Sequence, residues 1–257
     1  MNGNSFAVGQ AVQQGWLAIR RHPLEAIVGT LVLFAVNLAM GVLEQIPLIG
    51  IVFAIAGLFV QPALTGGQAI LYLNVVNDNN PQIVNVFDGF KKYVEFLGVF
   101  WLWFVIGVIC MIPAGIGAGA MTAVLMVCKA RSTSSILAGV AVLLPFAICS
   151  LVLLILAGLR WLFVYQVVAD GLNQGRVLEA FRVSSRLTEG HRLRLFLTML
   201  VLGLVAIAGV LACCVGLLVT VPLAGCGVAW VYMQLRPRIA PPIPVVSEAG
   251  PPPPAAG

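Results

Sequence analysis

The chain has 257 residues, of which 61% are hydrophobic and 9% are charged, and its mean hydropathy is +1.05. A soluble domain is usually about half apolar and about a quarter charged, so this composition excludes an ordinary soluble protein and indicates an integral membrane protein. The net charge of +5 does not then predict nucleic-acid binding, because basic residues that flank apolar segments set membrane topology and meet anionic headgroups.

The two ends of the chain are less apolar than the rest. The first 22 residues contain no short apolar core followed by a small-residue cleavage site, so we expect no cleavable signal peptide. Residues 237–257 are rich in proline and small residues and predict a disordered cytoplasmic tail. The helical membrane domain is therefore expected over residues 1–236.

Apolar segments long enough to cross the hydrocarbon core, which takes about 20 residues of helix, predict an all-α protein with six transmembrane helices. The third and fourth segments contain Pro113 and Pro145, which leave open whether these helices are continuous, kinked or broken. A re-entrant segment near residues 113–120 is the alternative to a continuous third span. The six segments are residues 24–43, 48–76, 96–127, 136–168, 195–213 and 216–235.

A basic amphipathic stretch precedes every second span, at residues 5–19, 83–94 and 176–189. In the last of these, apolar residues recur at helical spacing, basic residues fill the other side, and Gly190 is placed to end the helix. Such a helix is expected to lie flat in the membrane interface. The pattern therefore predicts three units, at about residues 1–78, 79–170 and 171–236. Each unit consists of an interfacial helix followed by two spans.

The ends of the second and sixth spans support this repeat. Aligned without gaps, residues 58–75 and 218–235 are identical at five positions, with two prolines, two glycines and two tyrosines among the matched residues. The matched pairs are Leu58/Leu218, Pro62/Pro222, Gly67/Gly227, Ala69/Ala229 and Tyr72/Tyr232.

The distribution of cations predicts the orientation. With a cytoplasmic N-terminus, eleven basic residues fall on the cytoplasmic side and two, Lys129 and Arg131, fall outside. This is a strong positive-inside bias. All four tyrosines also fall at the ends predicted to be cytoplasmic, where amphipathic rings prefer to lie. Both termini are therefore predicted to be cytoplasmic.

The segment "LEAFRVSSRLTEGHRLRLF" resembles a signature of poorly characterised bacterial multi-pass membrane protein families. Among them is the membrane domain joined to glycerophosphodiester phosphodiesterases. In these families an "EA-x-x-x-S-x-x-L-x-x-G" helix precedes a span that ends in a segment with proline and tyrosine. The resemblance implies a helical protein of the bacterial inner membrane. It does not imply phosphodiesterase activity, because the chain contains no such domain. The matching residues are Glu179, Ala180, Ser184, Leu187, Gly190, Pro222 and Tyr232.

Motifs for catalysis, metals and cofactors are missing from the sequence. It contains no HExxH and no GxSxG, and "AGIGAGA" at residues 114–120 lacks the strand and the GK[ST] ending of a phosphate loop. Gly115 and Gly119 are instead expected to form a face for close helix packing. The six cysteines form no CxxC pair and are expected to be small buried hydrophobes: Cys110, Cys128, Cys149, Cys213, Cys214 and Cys226. We therefore expect a protein that is not an enzyme and that holds no metal or cofactor.

Polar residues at the spans and at their basic ends are the candidate contacts for a ligand or lipid. Arg160 is the one cation well inside a predicted span, where a charge is usually paired or faces water. It either binds an anionic group or extends toward headgroups beside Trp161, and the second interpretation is favoured. Gln61 and Gln68 share one face of the second span and either line a cavity or bind a neighbouring helix. The full set is Arg160, Arg182, Arg186, Arg192, Arg194, Gln61 and Gln68.

Two functions fit this pattern. The first is a non-catalytic membrane protein that interacts with anionic lipid or an envelope partner through its basic interfacial helices. The second is a transporter or channel for a lipid or small solute, although the spans contain no clear buried carboxylate of the kind that coupled ion transport uses. A protein partner or a second copy of the chain is left open by the sequence.

Overall fold

A computed structural model of the chain describes residues 8–46, 49–127, 133–211 and 216–238. Within these ranges the protein is all helical and contains no strand. A ten-residue 3₁₀ helix, Ile83–Lys92, runs directly into the third span, and a short one, Arg236–Arg238, follows the last span. The α-helices are α1 Val8–Arg21, α2 Pro23–Glu44, α3 Ile49–Asn77, α4 Tyr93–Val127, α5 Thr133–Arg160, α6 Val164–Asp170, α7 Val177–Thr188, α8 Arg192–Leu211 and α9 Leu217–Leu235.

Six segments of the described chain are long and apolar enough to cross a membrane, which confirms the predicted number of spans. They correspond to α2, α3, the 3₁₀ helix with α4, α5 with α6, α8 and α9. The predicted tail begins at residue 237, and all but its first two residues lie outside the described ranges.

The third span does not form a re-entrant segment, so that alternative was wrong. Helix α4 continues through Pro113 and α5 continues through Pro145. A proline inside a helix disturbs the turn before it, and a neighbouring hydroxyl can supply the hydrogen bond that is lost. Here the backbone N–H of Ala114 donates to the buried Ser150 Oγ of α5 at 2.9 Å.

Helices α4 and α5 pack closely through a different glycine from those expected. A methyl group on Gly117 would lie 2.6 Å from Phe146 Cβ, whereas one on Gly115 or Gly119 would meet nothing within 4 Å. The prediction that Gly115 and Gly119 form the packing face is therefore wrong within the described chain. The cause is register: residue 117 lies on the opposite side of α4 from its two neighbours, and that side faces the bulky Phe146.

The expected burial of the cysteines holds for two of the three that the structure describes. Cys110 and Cys226 are buried, but Cys149 is exposed on α5. A thiol that faces lipid carries little cost, so apolar sequence context alone does not predict burial against protein. Cys128, Cys213 and Cys214 lie outside the described residues.

Two of the short helices cross a span at points of very close backbone approach. The 3₁₀ helix packs on α3, where a methyl group on Gly89 would overlap the Ala63 carbonyl and one on Gly67 would overlap the Val86 carbonyl. Helix α1 packs on α9 at the corresponding glycine, since a methyl group on Gly227 would lie 3.1 Å from the Ala11 carbonyl oxygen. Glycine is required at such crossings because any side chain would separate the two backbones.

Helix α7 forms as the spacing predicted. It ends at Thr188, and Gly190 adopts a left-handed conformation with φ +79°. Its apolar side, which includes Ala180, Phe181 and Leu187, is buried against the protein. The helix therefore uses its apolar face mainly for packing in the bundle, which leaves its arginines at the surface.

Polar side chains connect the helices at the end of the bundle where α3, α6 and α9 finish, which we call the basic end. Asp170 accepts hydrogen bonds from the Tyr232 hydroxyl at 2.9 Å and from Arg236 Nε at 2.6 Å. Lys92 Nζ donates to the last carbonyls of α6 at 2.9 and 3.1 Å. Asp78 bonds His22, and this hydrogen bond, helped by nearby positive charge, holds the pKa of the Asp78 carboxyl below its usual range.

The glycine crossings give a direct test of the fold. Gly67→Ala should destabilise the protein by about 1–3 kcal/mol, because the added methyl group forces the 3₁₀ helix away from α3. Gly119→Ala is the matched control, since its methyl group meets nothing within 4 Å. Thermal unfolding in detergent measures both. Equal unfolding temperatures for the two variants would contradict the close crossing.

Candidate anionic-ligand site

The site begins with a break in the fourth span. Helix α5 ends at Arg160 and α6 starts at Val164, so the fourth span, whose continuity the sequence left open, is interrupted at residues 161–163 and not at Pro145. The break leaves backbone groups without helical partners, and inside a membrane such groups must be satisfied by the protein.

Helix α7 supplies the missing partners from two side chains that are 0% exposed. Ser184 Oγ accepts a hydrogen bond from the Phe163 N–H at 3.2 Å and lies 3.4 Å from the Arg160 carbonyl oxygen. Thr188 Oγ1 lies 3.2 Å from the same carbonyl oxygen and 3.1 Å from the Ser185 carbonyl oxygen, and its one proton can go to either. The interruption in the span is therefore closed by α7, and this contact fixes α7 beside the end of α5.

The break places Arg160 in a surface pocket of about 390 Å³ between α5 and α7. We call it the arginine pocket. Arg160 is exposed, its Nε donates to Ser185 Oγ at 2.9 Å, and its guanidinium lies 5.7 Å from the centre of the Trp161 ring. A cation at the last residue of α5 also suits the negative end of the helix dipole. The pocket is lined by Arg160, Trp161, Leu178, Phe181, Arg182, Ser185 and Arg186.

Two further arginines reach the pocket from α7. Arg182 and Arg186 are four residues apart and therefore share one face of the helix. Arg182 has a carboxylate neighbour, with its Nη1 3.4 Å from Glu179 Oε2. Among the described residues, neither Arg160 nor Arg186 forms an ion pair. The pocket therefore has excess positive charge even after Glu179 is counted.

The floor of the pocket is apolar. Trp161 and Phe181 pack edge to face with ring centres 5.7 Å apart, and Leu178 is 63% exposed beside them. A cationic rim above an apolar floor is suited to a ligand with an anionic head and an apolar body. The lining residues include one hydroxyl group, on Ser185, and no imidazole or carboxylate.

The other sequence candidates lie elsewhere. Arg192 and Arg194 are in the first turn of α8 and do not line the pocket. Gln61 lines a cavity of about 320 Å³ that also contacts Glu44, whereas Gln68 lines another of about 390 Å³ between α2, α3 and α9. The two glutamines therefore line different cavities, which are neighbours and share Asn37. Among the described residues, no group of three or more metal-ligating side chains could hold a metal ion.

The sequence did not reveal that Arg160, Arg182 and Arg186 share one pocket, or that Ser185 contacts Arg160. The spacing of Arg182 and Arg186 on one helical face was visible, and so was the Trp161 next to Arg160. What brought them together is the crossing of α7 over the break, which depends on side chains more than 20 residues apart in the chain.

A family model described as "Protein of unknown function (DUF975)" matches residues 18–238. No curated protein and no solved structure matches the chain. The match agrees with the expectation of a poorly characterised family. The resemblance to the membrane domain joined to glycerophosphodiester phosphodiesterases stays a prediction.

Two adjacent serines allow the two roles of α7 to be tested separately. Ser184 bonds the backbone at the break, whereas Ser185 contacts Arg160 in the pocket. Ser184→Ala should destabilise the protein by about 1–3 kcal/mol, because it leaves the buried Phe163 N–H without its partner. Ser185→Ala should change stability much less, since the bond that it removes is exposed. Thermal unfolding of the two variants checks this, and similar losses of stability would contradict the proposed role of Ser184.

Proposed function

The chain belongs to the DUF975 family, and from that premise we propose that it is a non-catalytic multi-pass membrane protein that binds the headgroups of anionic lipids in the arginine pocket. The observation that carries this proposal is the convergence of Arg160, Arg182 and Arg186 from two helices on one pocket with an apolar floor. The guanidinium group favours phosphate because its planar donors can bind two oxygens at once.

The charge balance of the pocket supports an anionic ligand. Two of its three arginines form no ion pair with any described residue, and the third has a carboxylate at 3.4 Å. Each basic residue near an anionic membrane surface contributes about 1 kcal/mol, and salt screens this attraction. The exposed Leu178 and the aromatic floor provide a surface for the first part of an acyl chain.

The proposal includes an orientation. We place both termini in the cytoplasm and the protein in the bacterial inner membrane, so that the arginine pocket meets the cytoplasmic leaflet. Its support is the positive-inside distribution of cations. The anionic lipids of that leaflet would then be the ligands, and no nucleic-acid partner is proposed.

The proposal also includes the repeat of three units. Its support is a pair of equivalent crossings: Gly89 meets Ala63 on α3, and Gly15 meets Leu223 on α9, which is the position of the third unit that aligns with Ala63. The third unit's α7 contacts the returning span of the middle unit, through the hydrogen bond from the Phe163 N–H to Ser184 Oγ. Each interfacial helix would thus pack on the returning span of the unit before it, and α1 would close the ring on α9.

Topology is tested with single cysteines on a cysteine-free background. A cysteine at Asn79, beyond the end of α3, should react with a membrane-impermeant maleimide only in inside-out vesicles. A cysteine at Gln45, beyond the end of α2, should react only in right-side-out vesicles. The reverse pattern would overturn the orientation and would remove the pocket from the cytoplasmic leaflet.

Lipid binding is tested by native mass spectrometry of the protein released from phosphatidylglycerol-containing micelles. Arg160→Gln and Arg186→Gln should each weaken phosphatidylglycerol retention roughly fivefold, since about 1 kcal/mol is lost per arginine. Arg160→Lys should restore binding in part, because it returns the charge without the planar fork. Phosphatidylcholine should be retained weakly by every variant.

Arg192→Gln is the matched control for these substitutions. It removes the same charge from an exposed residue at the start of α8 that does not line the pocket. It should leave phosphatidylglycerol retention close to that of the unmodified protein. An equal loss with Arg192→Gln and Arg160→Gln would show a general effect of net charge and would contradict a specific pocket.

A further inference from the structure

A second cavity, of about 390 Å³, lies among α2, α3 and α9, on other helices than those of the arginine pocket. Its walls are mostly leucine, valine and phenylalanine, and three polar side chains also line it: Thr30, Asn37 and Gln68. Phe34 of α2, which lines the cavity, is 48% exposed on the surface of the bundle. An apolar ligand could therefore enter sideways from the lipid.

The polar groups of the cavity on α2 lie deep in that span, whereas its wall from α9 is formed by Leu217, Leu218 and Val221 at the start of that helix. Thr30 is seven residues beyond the start of α2 at Pro23, and Asn37 is fourteen beyond it, so they lie about 10 and 21 Å along the helix. The hydrocarbon core is about 30 Å thick. The polar groups of this cavity are therefore near the middle of the membrane, where a charged ligand is strongly disfavoured.

The hydrogen bonds around the cavity have a fixed direction. Thr30 Oγ1 lies 2.8 Å from the Ala26 carbonyl, which can only accept, so the single hydroxyl proton of Thr30 points there. The Tyr72 hydroxyl, 3.0 Å away, must then donate to Thr30. Because the Tyr72 hydroxyl has then used its only proton, its oxygen can only accept a further hydrogen bond. The Gln68 Nε2, at 2.9 Å, therefore donates to the Tyr72 oxygen.

This direction decides which atom of each amide is left for a ligand. The Nε2 group of Gln68 is used by Tyr72, and the Nδ2 group of Asn37 donates to the Leu33 carbonyl at 2.8 Å. The amide oxygens have no hydrogen-bond donor among the described residues. Two side chains of one apolar cavity therefore offer acceptor oxygens, and a complementary ligand must bring hydrogen-bond donors.

We propose that this cavity binds a neutral lipid with a free hydroxyl group, whose hydroxyl donates to Gln68 or Asn37 and whose chains lie along the apolar walls. The ligand class follows from three features: acceptor oxygens require a donor, the depth excludes a charge, and the walls require an apolar body. This site is separate from the arginine pocket between α5 and α7, and the two can be tested independently.

The test uses the full chain in phosphatidylcholine nanodiscs. The probe is a diacylglycerol with a diazirine on one acyl chain, and unlabelled dioleoylglycerol competes with it. Dioleoylglycerol should block photolabelling, whereas its methyl ether, which lacks the hydroxyl proton, should compete roughly two- to tenfold less well, the range expected for one hydrogen bond. Labelled peptides should come from α2 and α9.

Three variants locate the interaction. Gln68→Leu should lower the affinity for dioleoylglycerol and reduce the difference between the alcohol and its methyl ether. Leu218→Trp, which fills the cavity from α9 and removes no polar group, should lower the labelling of α2 and α9 while the protein stays folded. Gln61→Leu is the matched control on the same helix, because Gln61 lines the neighbouring cavity, which shares Asn37 but not Gln68 with this one. Arg160→Gln should have no effect here, so failure of this proposal and failure of the anionic-lipid proposal are distinguishable.

Two results would overturn the inference. One is equal competition by dioleoylglycerol and its methyl ether in the unmodified protein, which would show that no hydroxyl donation occurs. The other is undiminished labelling of α2 and α9 in the folded Leu218→Trp protein, which would place the lipid elsewhere on the surface.

Discussion

The structure depends on one constraint: inside a membrane, every backbone polar group must find its partner within the protein. The fourth span breaks after Arg160, and two buried hydroxyl groups of α7, on Ser184 and Thr188, lie within hydrogen-bonding distance of the freed groups. This contact fixes the position of α7. It also determines where the arginines of α7 lie, because Arg182 and Arg186 extend from the same helix whose other side closes the break. The arginine pocket is thus a consequence of how the span is interrupted.

The same constraint explains why small residues occur at the helix crossings. Gly67 and Gly89 allow α3 and the 3₁₀ helix to approach through their backbones, and Gly15 does the same for α1 on α9. Hydrophobic driving force between spans is weak in lipid, so close packing and hydrogen bonds provide most of the association. A bundle held together in this way depends on each of its close crossings. Substitution of a crossing glycine should therefore destabilise the whole bundle.

The features that the sequence predicted correctly are local ones. The number of spans follows from apolar length, and the end of α7 follows from the spacing of its apolar residues and from Gly190. The predictions from sequence were incomplete or wrong where residues distant in the chain determine the local structure. No proline marks the break at residues 161–163, whereas Pro113 and Pro145, where the sequence left a break open, are accommodated within α4 and α5. Likewise, Gly117 packs against Phe146 where Gly115 and Gly119 were expected to pack, because only the partner helix determines which face is covered.

The candidate site follows the same pattern. Its arginines were recognisable one by one as unusual cations in an apolar chain, but their convergence required the fold. The most direct measurement is a cryo-EM map of the protein in nanodiscs that contain phosphatidylglycerol. The account predicts headgroup density above Trp161, with phosphate oxygens about 2.7–2.9 Å from the Arg160 guanidinium, the usual length of such charge-assisted bonds. A well-ordered arginine pocket that contains no lipid, with phosphatidylglycerol bound at other surfaces, would contradict it.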